Sequence, residues 1–191
     1  MKQYYGVGAL PDGYSLWDGF DMTRDKKILI WVNVLSLLLF LPFLPLLGIL
    51  LMNTVLESGF FLLIIAGMPV LVVVHEGIHA IFFQRYGKGK VAFKFHGWAF
   101  SASMEGHFFS KAAYLVIGAA PVVILSLVLA AIGFFWPSGS VRFVAWFLFA
   151  IQFSSAAGDL YVLWRFRRLP QDALVEDTGT GMKAYSRTPR P

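Results

Sequence analysis

Apolar residues gather into four long runs, roughly Ile28 to Met52, Gly59 to Phe83, Ala112 to Phe135 and Val141 to Trp164, separated by short polar stretches. Each run meets or exceeds the ~20 residues a helix needs to cross the hydrocarbon core of a bilayer. The pattern predicts an all-α membrane protein with four transmembrane helices. Pro42 and Pro45 predict a bend in the first helix, which membrane helices tolerate. Between the second and third runs, from Val91 to Met104, the aromatic and β-forming residues Val91, Phe93, Phe95, Trp98 and Phe100 flank His96-Gly97. That is the signature of two short strands around a turn. A β-hairpin following the second helix is expected, either offering an edge to an extended peptide or resting its aromatic side chains on lipid.

The pattern divides the chain into three parts. Residues 1–27 lack the apolar segment of a removable signal peptide, and Trp17 and Phe20 ahead of the charged Asp21 to Lys27 stretch read as an interfacial lead-in to the first helix. Residues 28–168 form the four-helix domain. Residues 169–191 are polar and rich in Gly, Thr and Pro, the composition of a disordered tail.

Composition strengthens the membrane reading: 58% of the 191 residues are hydrophobic and only 14% charged. Cysteine is absent, which excludes disulfides, thiolate nucleophiles and Cys-type zinc sites and leaves nitrogen and oxygen to hold any metal. A net charge of +5 raises the question of nucleic acid, and the distribution of the charge answers it. Lys2, Arg24, Lys26 and Lys27 precede the first run; Arg85, Lys88, Lys90, Lys94 and Lys111 lie between the second and third; Arg165, Arg167, Arg168, Lys183, Arg187 and Arg190 follow the core of the fourth. Only Arg142 falls on the other side. By the positive-inside rule this predicts both termini in the cytoplasm, and lipid rather than nucleic acid as the partner of the basic residues.

Within the apolar runs, away from their ends, the ionisable residues are His75, Glu76, His79 and Asp159. A charge at the bilayer centre costs roughly 2.5–3.5 kcal/mol on insertion scales, so four such groups call for a common partner. His75-Glu76-Gly77-Ile78-His79 sets two imidazoles one helical turn apart on one helix face, where both can bind a single Zn²⁺. Asp159 lies at a comparable distance from the cytoplasmic end of its own run and completes a three-ligand set. Glu76, about 100° around the helix from His75, is then the general base that takes a proton from a water the metal activates. Glu105 and His107 are alternatives to Asp159 as third ligand, ranked lower because they can reach water unaided. Gly77 and Ala80 offer close approach to a helix or substrate, and Ser154 to Gly158 form a small-residue stretch suited to tight packing. His96 reads as a turn residue, Lys111 as a snorkelling anchor and Pro121 as a kink in the third helix.

The span bearing His75-Glu76-Gly77-Ile78-His79, the hairpin after it and the aspartate in a later span resemble the site-2 protease group of intramembrane zinc metalloproteases. The four-span layout with Gly158-Asp159 more closely resembles the bacterial membrane proteins grouped under the description "putative zincin peptidase". The resemblance covers about Gly59 to Trp164. It implies a zinc-dependent HExxH peptidase of the bacterial cytoplasmic membrane, with His75, His79 and Asp159 as ligands, Glu76 as base, and a peptide or membrane protein as substrate. The order Gly158-Asp159-Leu160 differs from site-2 proteases, which carry Asp before Gly. The alternative from another class is a non-catalytic membrane protein with a structural zinc, acting as scaffold or regulator, in which Glu76 has no chemical task.

Overall fold

The computed structural model describes residues 6–54, 59–97 and 100–188. Trp98 of the expected hairpin, and Lys2 and Arg190 among the basic residues, lie outside them. The chain divides into two units, one formed by 31–75 with 121–158, the other by 1–30, 76–120 and 159–191.

The first of these units is helical. It takes in most of α1 (Lys26–Phe40), all of α2 (Phe43–Met52), the first part of α3 (Phe60–Tyr86), the larger part of α4 (Lys111–Phe135) and α5 (Gly139–Ser155). The expected bend of the first run is a break: α1 and α2 meet at 44°. Pro42 and Pro45 have no N–H to donate to the preceding turn, and Leu44 N bonds Leu41 O at 3.1 Å instead. Aromatic contacts tie α2 to α5, with Phe43 edge-on to Phe149 at 5.5 Å and to Phe153 at 6.2 Å. A Cβ at Gly67 on α3 would stand 2.9 Å from Leu148 on α5, so glycine permits that approach.

The other unit carries two antiparallel sheets. The expected hairpin is there: β2 (Ala92–Phe95) pairs with β3 (Phe100–Ser103), Phe95 opposite Phe100. The larger sheet was not expected. It has the order β1 (Ser15–Asp21), β6 (Gly181–Ser186), β5 (Leu174–Asp177), β4 (Phe108–Ser110). The chain is therefore not all-α. Residues 15–21 form a strand rather than a lead-in to α1, and 174–186 form a strand pair rather than a disordered tail, with Val175, Met182 and Ala184 fully buried. The physical reason is pairing across the whole length of the chain, Ser15 opposite Ser186 and Gly19 opposite Lys183. The sheet covers an apolar cluster of Phe83, Met104, Phe109, Tyr114, Phe166 and Met182, in which Tyr114 and Phe166 stack at 5.4 Å. Gly181 is required where β6 meets β1, since a Cβ there would fall 2.1 Å from Phe20 O.

Among the described residues, three helical stretches are long and apolar enough to cross a membrane: α3, α4, and the run from α5 through α6 (Ala157–Arg165) to the short 3₁₀ turn Phe166–Arg168. The bent α1–α2 pair makes a fourth if it is one span.

Candidate metal centre

One continuous helix, α3, carries His75, Glu76 and His79. Residues four apart on a helix share a face about 5–6 Å apart at Cβ, so the two imidazoles project together. Asp159 arrives from the fourth run, which is interrupted at Ala156. The Ser154 and Ser155 hydroxyls donate to the carbonyls of Ile151 and Gln152, α5 ends, and α6 begins at Ala157. Asp159 thus lies in the first turn of a new helix, where unsatisfied amides favour a negative charge. The small-residue stretch serves packing too: Ala156 and Ala157 are buried. Asp159 Oδ1 lies 3.6 Å from Nε2 of the buried His79. His75, His79 and Asp159 each offer one ligand atom, and all three atoms lie within 4.8 Å of one another.

Both rings are oriented from behind. His79 Nδ1 lies 3.0 Å from the Ile117 carbonyl, which can only accept, so Nδ1 donates and Nε2 is left towards Asp159. His75 Nδ1 lies 3.2 Å from Gln152 Oε1, and the buried Gln152 donates through Nε2 to the Pro121 carbonyl at 3.4 Å. That carbonyl fixes the amide orientation, so His75 also donates through Nδ1. Partners of this kind set the tautomer of metal-ligating histidines.

Glu76 is held from the hairpin. Its Oε2 accepts the Ala102 amide on β3 at 2.6 Å, so the hairpin grips the carboxylate. Among the described residues nothing approaches Gly77 closely: a Cβ there would have open space within 4 Å. Glu105 and His107 are not brought to His79. Glu105 is exposed and pairs with Lys94 Nζ at 2.5 Å, and His107 contacts the Glu105 carbonyl in the loop after β3. His96 sits in the hairpin turn, 2.9 Å from Ser101 Oγ. Lys111 Nζ donates to the Leu169 carbonyl at 2.9 Å, a tether to the chain beyond α6 as well as a helix start.

Three contributors carried no clear signal in sequence. Gln152 is neutral and escapes a search for charges in apolar runs. The Ile117 carbonyl is backbone. Asp177, at the end of β5, accepts the Tyr114 hydroxyl of α4 in a close contact and the Gly179 amide at 2.7 Å. Burial pushes its carboxyl up to about 6, against those two donors and the charge of His79 and together with the charge of Asp159. The sequence places it in a polar tail, and only the sheet brings it towards the site.

Two imidazole nitrogens and one carboxylate oxygen are a donor set that catalytic zinc takes, leaving one position open. Tetrahedral ligands at about 2.0–2.2 Å from a zinc stand roughly 3.3–3.6 Å apart, and the 3.6 Å between His79 and Asp159 matches. The residues fit the ion. Fold and site define a helical protein with membrane-length apolar helices and a His–His–carboxylate cluster beside a glutamate. The chain belongs to the family described as "Putative zincin peptidase", whose model matches residues 68–174. That span takes in the motif of α3, the hairpin, α4, α5 and Asp159, and the description points to zinc and to peptide-bond hydrolysis. No curated protein and no solved structure matches the chain.

Proposed function

We propose that this protein is a zinc-dependent, membrane-embedded peptidase that cleaves a membrane or membrane-proximal substrate. The observation that carries the reading is the convergence of the His75, His79 and Asp159 ligand atoms, with Glu76 on the same helical turn and its carboxylate held by the Ala102 amide. His75 and His79 would hold the zinc through Nε2, and Asp159 through a carboxylate oxygen. When bound, zinc supplies Lewis acidity, polarising a peptide carbonyl and lowering the pKa of water. Glu76 takes the proton of the attacking water and passes it to the leaving amine. The Ala102 amide steadies the carboxylate, and β3 offers an extended peptide a strand beside it. Both termini face the cytoplasm and the site opens on that side, a topology supported by the one-sided Lys and Arg distribution. Reporter fusions at Pro191 and Gly139 should give opposite answers.

A second reading has one observation in its favour. In a structural-zinc scaffold the bond from Ala102 would make Glu76 a strand anchor with no chemical role. Zinc content and cleavage of a co-expressed membrane substrate decide between them. Glu76→Gln should keep zinc and lose ~10²–10⁴ in rate, the usual worth of a general base. Undiminished function in that variant would give the protein to the scaffold reading. His75→Ala should abolish zinc binding; full zinc content there would overturn the site.

A further inference from the structure

We infer that Pro121 is a positioning residue of this metal centre: by lacking an N–H, it reserves the Ile117 carbonyl of α4 for Nδ1 of His79. The inference rests on the zinc reading above. In an α-helix the carbonyl of residue i accepts the amide of residue i+4, and the residue four beyond Ile117 is Pro121, inside α4. Proline has no amide hydrogen, so the usual donor to that carbonyl is missing. A proline inside a helix disrupts the backbone ladder, and in membrane helices the freed carbonyl is satisfied by another donor. Here the donor is His79, at 3.0 Å and buried.

The same proline serves the other histidine through its own carbonyl, which accepts Gln152 Nε2 at 3.4 Å while Gln152 Oε1 faces His75 Nδ1 at 3.2 Å. One turn of α4, Ile117 to Pro121, therefore ends both chains of hydrogen bonds that turn the imidazoles. Pro121 is fully buried. Substituting a residue with an N–H would let the backbone reclaim Ile117 O, leaving His79 without its acceptor and free to move its proton to Nε2, the nitrogen that faces Asp159.

The test uses the full chain purified in detergent, in two measurements. The first is zinc affinity by competition with a chromophoric chelator; the second is the ¹⁵N ring shifts of His79 in the metal-free protein, which report the tautomer. Pro121→Ala and Pro121→Val both restore the N–H, and valine also refills the volume, so agreement between them separates the hydrogen bond from packing. Both should bind zinc about 10–100-fold more weakly, the usual cost of losing such a partner. Both should also shift His79 from Nδ1–H towards Nε2–H. Pro69→Ala, a proline elsewhere in α3, should change neither. Wild-type affinity and an unchanged tautomer in both Pro121 variants would overturn the inference, as would equal weakening by Pro69→Ala. If the wild type binds no zinc, the peptidase reading fails, while the tautomer measurement still decides the role of Pro121.

Discussion

The two units hold their apolar side chains in opposite ways. In the helical unit of 31–75 and 121–158, large residues such as Trp31, Leu37, Ile49, Phe61, Ile65, Val73, Leu127 and Phe134 are exposed. All charged residues of the sequence but Glu57 and Arg142 belong to the other unit, which encloses Phe83, Met104, Phe109, Phe166 and Met182 almost completely. A surface so apolar and so poor in charge suits lipid rather than water. The first unit thus presents the kind of surface a bilayer would cover, whereas the second has a core of the kind a water-soluble domain builds. Folding energy in the second comes from burial on the protein's own sheet, and mutational sensitivity should follow that division.

The largest effect should come from Phe109→Ala, which empties a fully buried ring position against Phe83 and Tyr114. It should cost about 3–5 kcal/mol, read as a fall in Tm in detergent. Next is Asp18→Ala. Arg165 bonds Asp18 through Nε at 3.1 Å and Nη2 at 2.6 Å and lies over Phe20, so β1 clamps the end of the helix that carries Asp159. The removal leaves a partly buried guanidinium with only the Tyr161 hydroxyl as partner, at a cost of about 1–3 kcal/mol, and an unaltered Tm would mean that β1 is not part of the folded core. Gln152→Leu keeps the packing of the helical unit and deletes the partner of His75, so zinc should bind about tenfold more weakly with little change in Tm.

Smaller still is Asp172→Ala. Burial works to raise this carboxyl, but the Arg187 amide and the Ser186 and Thr188 hydroxyls outweigh it and hold the pKa below 3.8. A depressed folded pKa gives stability that is present above about pH 3.8 and lost as the pH falls through the folded value. The variant should therefore lose roughly 0.5–1 kcal/mol at neutral pH, and the gap should close in acid. The smallest effect belongs to Leu37→Ala, a truncation on the exposed face of α1, which should stay within about 0.5 kcal/mol. A loss comparable to that of Phe109→Ala would erase the contrast between the units.

Much of the candidate site was legible beforehand because its signals are local. A five-residue spacing sets two histidines on one helix face, and an ionisable group in an apolar run is conspicuous wherever the run folds. The hairpin was legible as well, from alternation around His96-Gly97, as was the resemblance to the family that matches 68–174. The four-stranded sheet was not. Its strands are short, and β1 and β6 pair residues more than 150 positions apart, such as Leu16 with Tyr185. A polar stretch with Gly and Thr looks the same in sequence whether it dangles or adds to a sheet.

Sequence alone determined what depends on neighbours along the chain: the apolar helices, the absence of thiol chemistry, and the pairing of His75 with His79 beside Glu76. Tertiary structure alone decided what depends on distant partners. It brought Asp159, which the sequence already ranked ahead of Glu105 and His107, to within 3.6 Å of His79, tied Glu76 to Ala102, and gave each imidazole its acceptor in Ile117 O or Gln152. Helical periodicity fixes which side chains share a face; a hydrogen bond needs two groups within about 3 Å, and that proximity exists only once the chain has folded.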